Sequence, residues 1–211
     1  EPNIFLGYHH EWSPGVHTLL FAGRLHDDFR LGDPAANVIF LQQNAGIYTA
    51  ASTVPNTIAL QSELVAYTAE AQQIFQIGTH TAIAGVRYQI GAADSQNSVV
   101  ENAFNQTLAL QNISSDLERI NVYAYDQWQI VEQLHLTGGL SYDRLHYPLN
   151  IDTSPITSAE DHTSRLSPKA GLVWTPWSET HVRAAYTRSL GGVFFDNSVR
   201  LEPSQVAGFN Q

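Results

Sequence analysis

The sequence predicts an all-β fold: an antiparallel transmembrane β-barrel, present in part, with about eight long strands in hairpins, short turns at one end and long loops at the other. Three observations predict it. Segments of roughly 10–14 residues alternate apolar and polar side chains, a length that crosses a bilayer as a tilted strand. Short connections join these segments in pairs, and long polar stretches separate the pairs, the asymmetry of barrels with short periplasmic turns and long external loops. Every tryptophan lies beside a short connection: Trp12 before Ser13-Pro14-Gly15, Trp128 before Val131-Glu132-Gln133, and Trp174 and Trp177 around Thr175-Pro176. Indole favours the membrane–water interface, where its ring and its N–H are both satisfied. The tryptophans are therefore expected to form one periplasmic girdle.

The first hairpin pairs residues 3–12 with 16–29 across Ser13-Pro14-Gly15. The second pairs 63–76 with 81–91 across 77–80, the third 117–130 with 134–147, and the fourth 165–174 with 181–190. The connections 30–61, 92–116 and 148–164 are expected as loops, with a short extra strand at 38–41 in the first. Period-two patterning supports these assignments. Leu134, Leu136, Gly138, Leu140 and Tyr142 share a face opposite His135, Thr137, Ser141 and Asp143. Ala82, Ala84, Val86, Tyr88 and Ile90 oppose Thr81, Arg87 and Gln89; Ala170, Leu172 and Trp174 match Val182, Ala184 and Tyr186. The apolar sets are expected to face lipid and the polar sets the lumen. Residues 4–8 and 19–21 are apolar on both faces. Residues 62–77 are rich in good helix formers, yet Val65, Tyr67, Ala69, Ala71, Gln73, Phe75 and Ile77 form an alternate, nearly apolar set, so they are read as a strand.

At 211 residues the chain suits one domain, taken as a single partial barrel over 1–211. It has no run of 18 apolar residues, which excludes a membrane-spanning helix. A mean hydropathy of -0.18 fits a barrel, where lumen residues offset lipid-facing ones. Cysteine is absent, so neither disulfides nor thiolate metal sites contribute. A net charge of -10 argues against nucleic acid as a partner. The start at Glu1-Pro2-Asn3 without Met, and the end at Gly208-Phe209-Asn210-Gln211 without a closing strand, lead to the expectation of a fragment that cannot close alone.

Asn121-Val122-Tyr123-Ala124-Tyr125-Asp126-Gln127-Trp128, followed by Leu134-His135-Leu136-Thr137-Gly138-Gly139-Leu140-Ser141-Tyr142-Asp143, resembles the "Y-x-x-D-x-W … L-x-L-x-x-G-L-x-Y-D" hairpin of TonB-dependent receptor barrels. Leu166-Ser167-Pro168-Lys169-Ala170-Gly171-Leu172-Val173-Trp174 and Ala185-Tyr186-Thr187-Arg188 resemble that family's next hairpin, and Leu201-Glu202-Pro203 the segment after it. The resemblance covers about residues 117–203; upstream only the hairpin rhythm supports it. It implies a receptor or transporter barrel for solute uptake in the outer membrane of a Gram-negative bacterium. The implied partners are membrane lipids and lipopolysaccharide, an unidentified solute, and a TonB-type energy-coupling complex acting through a plug domain that these residues do not include. The motifs record architecture and bring no binding residues with them. A barrel carrying periplasmic helical repeats, used for export or anchoring, is a second reading. A soluble β-rich carbohydrate-binding module, with aromatics gathered on one exposed face, is a third.

No catalytic, cofactor-binding or metal residues are assigned, and neither an enzyme activity nor a cofactor is expected. Neither G-x-S-x-G nor a P-loop nor H-E-x-x-H is present. His9 and His10 are adjacent, so as strand residues they point to opposite faces and cannot share an ion. Asp27-Asp28 and Glu160-Asp161 could bind a divalent cation, though solvated loop charge suits them better. Arg144 and Arg188 share the lipid-facing parity far from the short turns, where guanidinium would meet lipopolysaccharide phosphates or local acids.

Overall fold

The expected alternation produces one continuous antiparallel sheet. In the computed structural model of the chain, residues 2–190 and 199–210 are described. Strands β1 (Ile4–Ser13), β2 (Val16–Asn44), β3 (Ile47–Ile77), β4 (His80–Glu101), β5 (Gln106–Val131), β6 (Leu134–Asn150), β7 (Thr157–Trp177) and β8 (Thr180–Thr187) follow one another as a meander, each hydrogen-bonded to the next. Two short strands, β9 (Gln205–Val206) and β10 (Phe209–Asn210), make a separate small hairpin. Among the described residues the edge strands β1 and β8 are not paired with each other, so the sheet is open. Residues 62–77 lie wholly within strands rather than a helix.

The expected hairpins all form, but the expected long loops do not. Residues 30–61 continue β2 and β3 to a tight turn at Ala45-Gly46, and 38–41 lie inside β2 rather than making a separate strand. Residues 92–116 extend β4 and β5 as far as a turn over 102–105, and 148–164 shrink to a loop over 151–156. Apolar alternation is broken there by polar runs such as Gln42-Gln43-Asn44 and Asp94-Ser95-Gln96-Asn97-Ser98, so it carries little signal for these extensions. The ladder continues regardless, because each strand already presents registered N–H and C=O groups to its neighbour. Its register slips between Asp33 and Ala36, beside Pro34, which has no N–H to donate.

Register settles which side chains share a face. Tyr67 on β3 is opposite Ile90 on β4, and Val86 is opposite Val122 on β5; Tyr142 on β6 is opposite Leu166 on β7. All six are outer-face residues, mostly well exposed. Their strand neighbours Ala66, Arg87, Gln89, Asn121, Ser141, Asp143 and Ser167 are buried on the other face. The apolar sets therefore point outward, as expected. The doubly apolar segments are explained as well. Ile4, Leu6 and Tyr8 point outward, whereas Phe5 turns inward and stacks on Phe21 with ring centroids 6.0 Å apart.

The inner face is layered along the strands. Nearest the short turns, Ile83, Tyr123 and Tyr125 cluster with Ile74. Two glycines make room there: a Cβ at Gly85 would collide with the Tyr123 ring, and one at Gly139 with the Tyr125 ring. A charged layer follows, containing Glu70, Arg87, Arg119, Asn121 and Asp143. Above it, Leu64, Ala66, Ala93, Leu117 and Leu145 form an apolar layer capped by Ile151 and packed against Leu190. The lumen-facing set is thus not uniformly polar. Residues 199–206 cross this inner face: Val199 lines a small cavity with Phe5, Leu25 and Gln89, and Val206 sits over Gly171 of β7.

Candidate functional site

The outer face has the dimensions of a membrane band. On β5 the outer-face set runs from Trp128 to Glu118 through Asp126, Ala124, Val122 and Ile120, with Asp126 held by His80 at 2.8 Å beside the tryptophan row. That stretch rises about 33 Å at ~3.3 Å per residue. A tilt of about 40–45° makes it about 23–25 Å tall, the height of a barrel's apolar band. The tryptophans mark its lower edge. Trp128 faces His80 and Leu136, stacking on the His80 ring with centroids 5.3 Å apart, and Trp174 faces Leu134 and Val182. The Trp12 Nε1 donates to Thr18 Oγ1 at 2.9 Å. All four rings sit at the short-turn edge of the sheet and not in one concave patch, so the arrangement expected of a carbohydrate-binding face is not what forms.

The upper edge is polar. The His26 and Glu63 side chains meet at 2.9 Å, Tyr88 Oη donates to Glu118 at 3.1 Å, and His146 meets Glu160 at 3.0 Å while stacking on His162. Arg144 lies in this row on the outer face, beside Glu118, His146 and His162. Arg188 follows β8 with the same parity, its N–H donating to Pro168 O at 3.3 Å.

The paired acids do not converge on a cation. Arg30 grips Asp28 through Nε at 3.1 Å and Nη2 at 2.8 Å, and this hydrogen bonding holds the Asp28 carboxyl below the usual carboxylate range. Glu160 pairs with His146, and Asp161 accepts from the His162 N–H at 2.8 Å. His9 and His10 do face opposite ways: His9 meets His17 at 3.1 Å, whereas His10 packs between Tyr8 and Trp12. Among the described residues, no group of three or more His, Asp or Glu side chains is placed to hold a metal ion.

The most developed chemistry lies on the inner face, where the sequence offered no site. The Glu70 carboxylate accepts from Tyr123 Oη at 2.8 Å and from the backbone N–H groups of Leu201 and Glu202, both at 2.9 Å. Gln72 donates to Tyr123 Oη at 3.0 Å and to Leu201 O at 2.7 Å. Glu202 accepts from Tyr125 Oη at 2.6 Å and Lys169 Nζ at 3.0 Å. Beside this cradle, Arg119 donates twice to Asp143 Oδ1, at 2.9 and 2.6 Å, and Asn121 donates to the same oxygen at 3.1 Å. Five charged groups of this face share a signal that was present in the sequence: Glu70, Arg119, Asp143, Lys169 and the neighbouring Arg87 all have the inner-face parity. Which of them meet depends on cross-strand register, and the partner segment 199–206 comes from beyond the last long strand.

An open antiparallel meander, apolar outside and ionic inside, defines a piece of β-barrel wall. The chain belongs to the TonB-dependent receptor-like β-barrel family, whose model matches residues 3–210. No curated protein is significantly similar to it in sequence. Solved structures with the same fold include the copper transporter OprC, at 12% identity and a TM-score of 0.55 over 83% of this chain and 28% of that one. The FpvAI–pyocin S2 complex is similar at 14% identity and a TM-score of 0.58, over 88% of this chain and 26% of the other. The ferric-catecholate import receptor Fiu from E. coli K12, in its closed form, is similar at 14% identity and a TM-score of 0.54, over 88% and 32%. The chain therefore spans between 26% and 32% of the length of these proteins.

Removing one partner of the Arg119–Asp143 pair strands the other charge in a buried site, which costs about 3–5 kcal/mol. Arg119→Met and Asp143→Leu are each expected to lower the midpoint of heat modifiability of the purified protein. The double substitution should recover most of that loss. Additive losses would show that the pair is not coupled as the geometry indicates.

Proposed function

We propose that the chain is part of the wall of a receptor and transporter for solute uptake in the outer membrane of a Gram-negative bacterium. One observation carries this reading: a single sheet presents a mostly apolar outer face about 23–25 Å tall between its tryptophan row and its polar upper row and, directly behind it, a buried ionic inner face. Such a pairing suits a wall with hydrocarbon on one side and a filled polar passage on the other. Family membership supports it further. The wall supplies no bond chemistry. Selectivity rests with the external ends of the strands and with whatever occupies the lumen, and a plug domain outside these residues couples the barrel to a TonB-type complex.

The test is a strain lacking the gene, compared with its parent and with a strain lacking the TonB-type complex. The protein should fractionate with the outer membrane, and its loss should impair growth on a scarce solute in the same way as loss of energy coupling does. A protein in the outer membrane whose loss mimics no coupling defect would favour an export or anchoring barrel. Recovery in a detergent-free soluble fraction would exclude the membrane reading altogether.

Lipopolysaccharide is the proposed lipid partner at the upper edge, where Arg144 stands on the outer face beside Glu118, His146 and His162. Phosphate would pair there with the guanidinium. Arg144→Ala is expected to increase the detergent sensitivity of cells without changing how much protein reaches the outer membrane. Unchanged sensitivity would assign Arg144 to local acids such as Glu118.

A further inference from the structure

We propose that Glu70 is a two-position switch, which either holds residues 199–206 across the inner face or pairs with Arg87 and lets them go. Arg87 is in the middle of β4, directly opposite Glu70 on β3 and Asn121 on β5. It is 1% exposed, and none of Nε, Nη1 and Nη2 has a hydrogen-bond partner among the described residues. A buried guanidinium left unpaired is strongly unfavourable. Directly opposed residues on adjacent strands have Cβ atoms only about 5 Å apart, within reach of a Glu and an Arg. The natural partner of Arg87 is therefore Glu70.

That partner is engaged elsewhere. Both Glu70 oxygens point to the crossing segment, one to the Leu201 N–H and the other to the Glu202 N–H and Tyr123 Oη. The other nearby acids are committed too, Asp143 to Arg119 and Asn121 and Glu202 to Lys169 and Tyr125. The docked segment thus exists at the expense of an Arg87 ion pair. Rotation of one carboxylate would satisfy Arg87 and release two backbone N–H groups, which water can take once the segment lifts. Two arrangements of one side chain, each satisfying what the other leaves open, make a bistable element. The segment keeps other anchors: Gln72 on Leu201 O, the Glu202 side chain on Lys169 and Tyr125, and Val206 on Gly171.

A segment held in this way narrows the passage when docked and widens it when released. That consequence rests on the function proposed above. The switch itself does not, because the position of the segment can be read without any solute. The experiment places one nitroxide at Ser204, which is exposed, and a second at Thr79 in the β3–β4 turn of the full-length protein in nanodiscs. Pulsed electron spin resonance then reports the docked and released populations. Glu70→Gln should raise the released-to-docked ratio about tenfold or more, the effect of losing hydrogen bonds to a charged group. Arg87→Met, which removes the competitor, should lower the ratio below that of the parent protein. Arg87→Lys, which keeps a competing charge, should stay close to the parent, and the Glu70→Gln/Arg87→Met double variant should match Glu70→Gln. A rise in the released population with Arg87→Met, or no change with Glu70→Gln, would overturn the proposal.

Discussion

Hydrocarbon offers no partner to a peptide N–H or C=O, so a strand that crosses it must find every backbone partner on its neighbours. The rest of this structure depends on that constraint. It requires an unbroken ladder through the apolar band, and the ladder between β3 and β4 runs from Asn56↔Glu101 to Ile77↔His80 without a register shift. Irregularities in the other ladders fall towards the ends: Glu11/Ser13, Gln129/Val131 and Trp174/Trp177 at the short turns, Asp33/Ala36, Phe40/Leu41, Val99/Val100 and Pro148/Asn150 in the outer extensions. Once register is fixed, the period of two assigns every side chain to the outer or the inner face. A slip of one residue would bring Arg87, Asp143 and Lys169 to the apolar outer face.

The same constraint explains why the inner face is expensive to build and specific once built. Charges placed there are remote from bulk water and need partners with defined geometry. Arg119 and Asp143 supply one such pair, Lys169 and Glu202 another, and two tyrosines complete the donors around the carboxylates. Tyr123 and Tyr125 reach those carboxylates only because Gly85 and Gly139 leave space beneath their rings. Small residues on one strand thus determine where polar atoms on the next can be placed. The crossing segment then docks on polar atoms that the sheet has already oriented.

Much of this was legible before any coordinates. Antiparallel strands, their facing and the tryptophan edge follow from a period of two and from the preference of indole for interfaces, and the motif around Tyr123–Tyr142 led to the right family. The extensions over 30–61 and 92–116 were not legible, because their few apolar pairs, such as Ile39 and Leu41 or Leu108 and Leu110, are separated by polar, turn-like runs such as Gln42-Gln43-Asn44 and Asp94-Ser95-Gln96-Asn97-Ser98. Nor was the inner cradle. Parity placed Arg87 and Asp143 in the lumen, but no local pattern shows that Glu70 would bond the backbone at Leu201 and Glu202, well over a hundred residues away. Register and long-range return of the chain decide that contact, and neither leaves a periodic trace.

The central claim is that one face of this sheet meets lipid and the other does not. The chain contains no cysteine, which allows single nitroxide labels to be placed at each position from 117 to 128 on β5 of the full-length protein reconstituted in vesicles. Collision rates with oxygen, which dissolves in hydrocarbon, and with a water-soluble nickel complex report what each label touches. The structure predicts oxygen maxima at 120, 122 and 124, minima at 119, 121, 123 and 125, and rising nickel access towards 118 and 128. A helical period, equal oxygen access at odd and even positions, or maxima at the odd ones would contradict it.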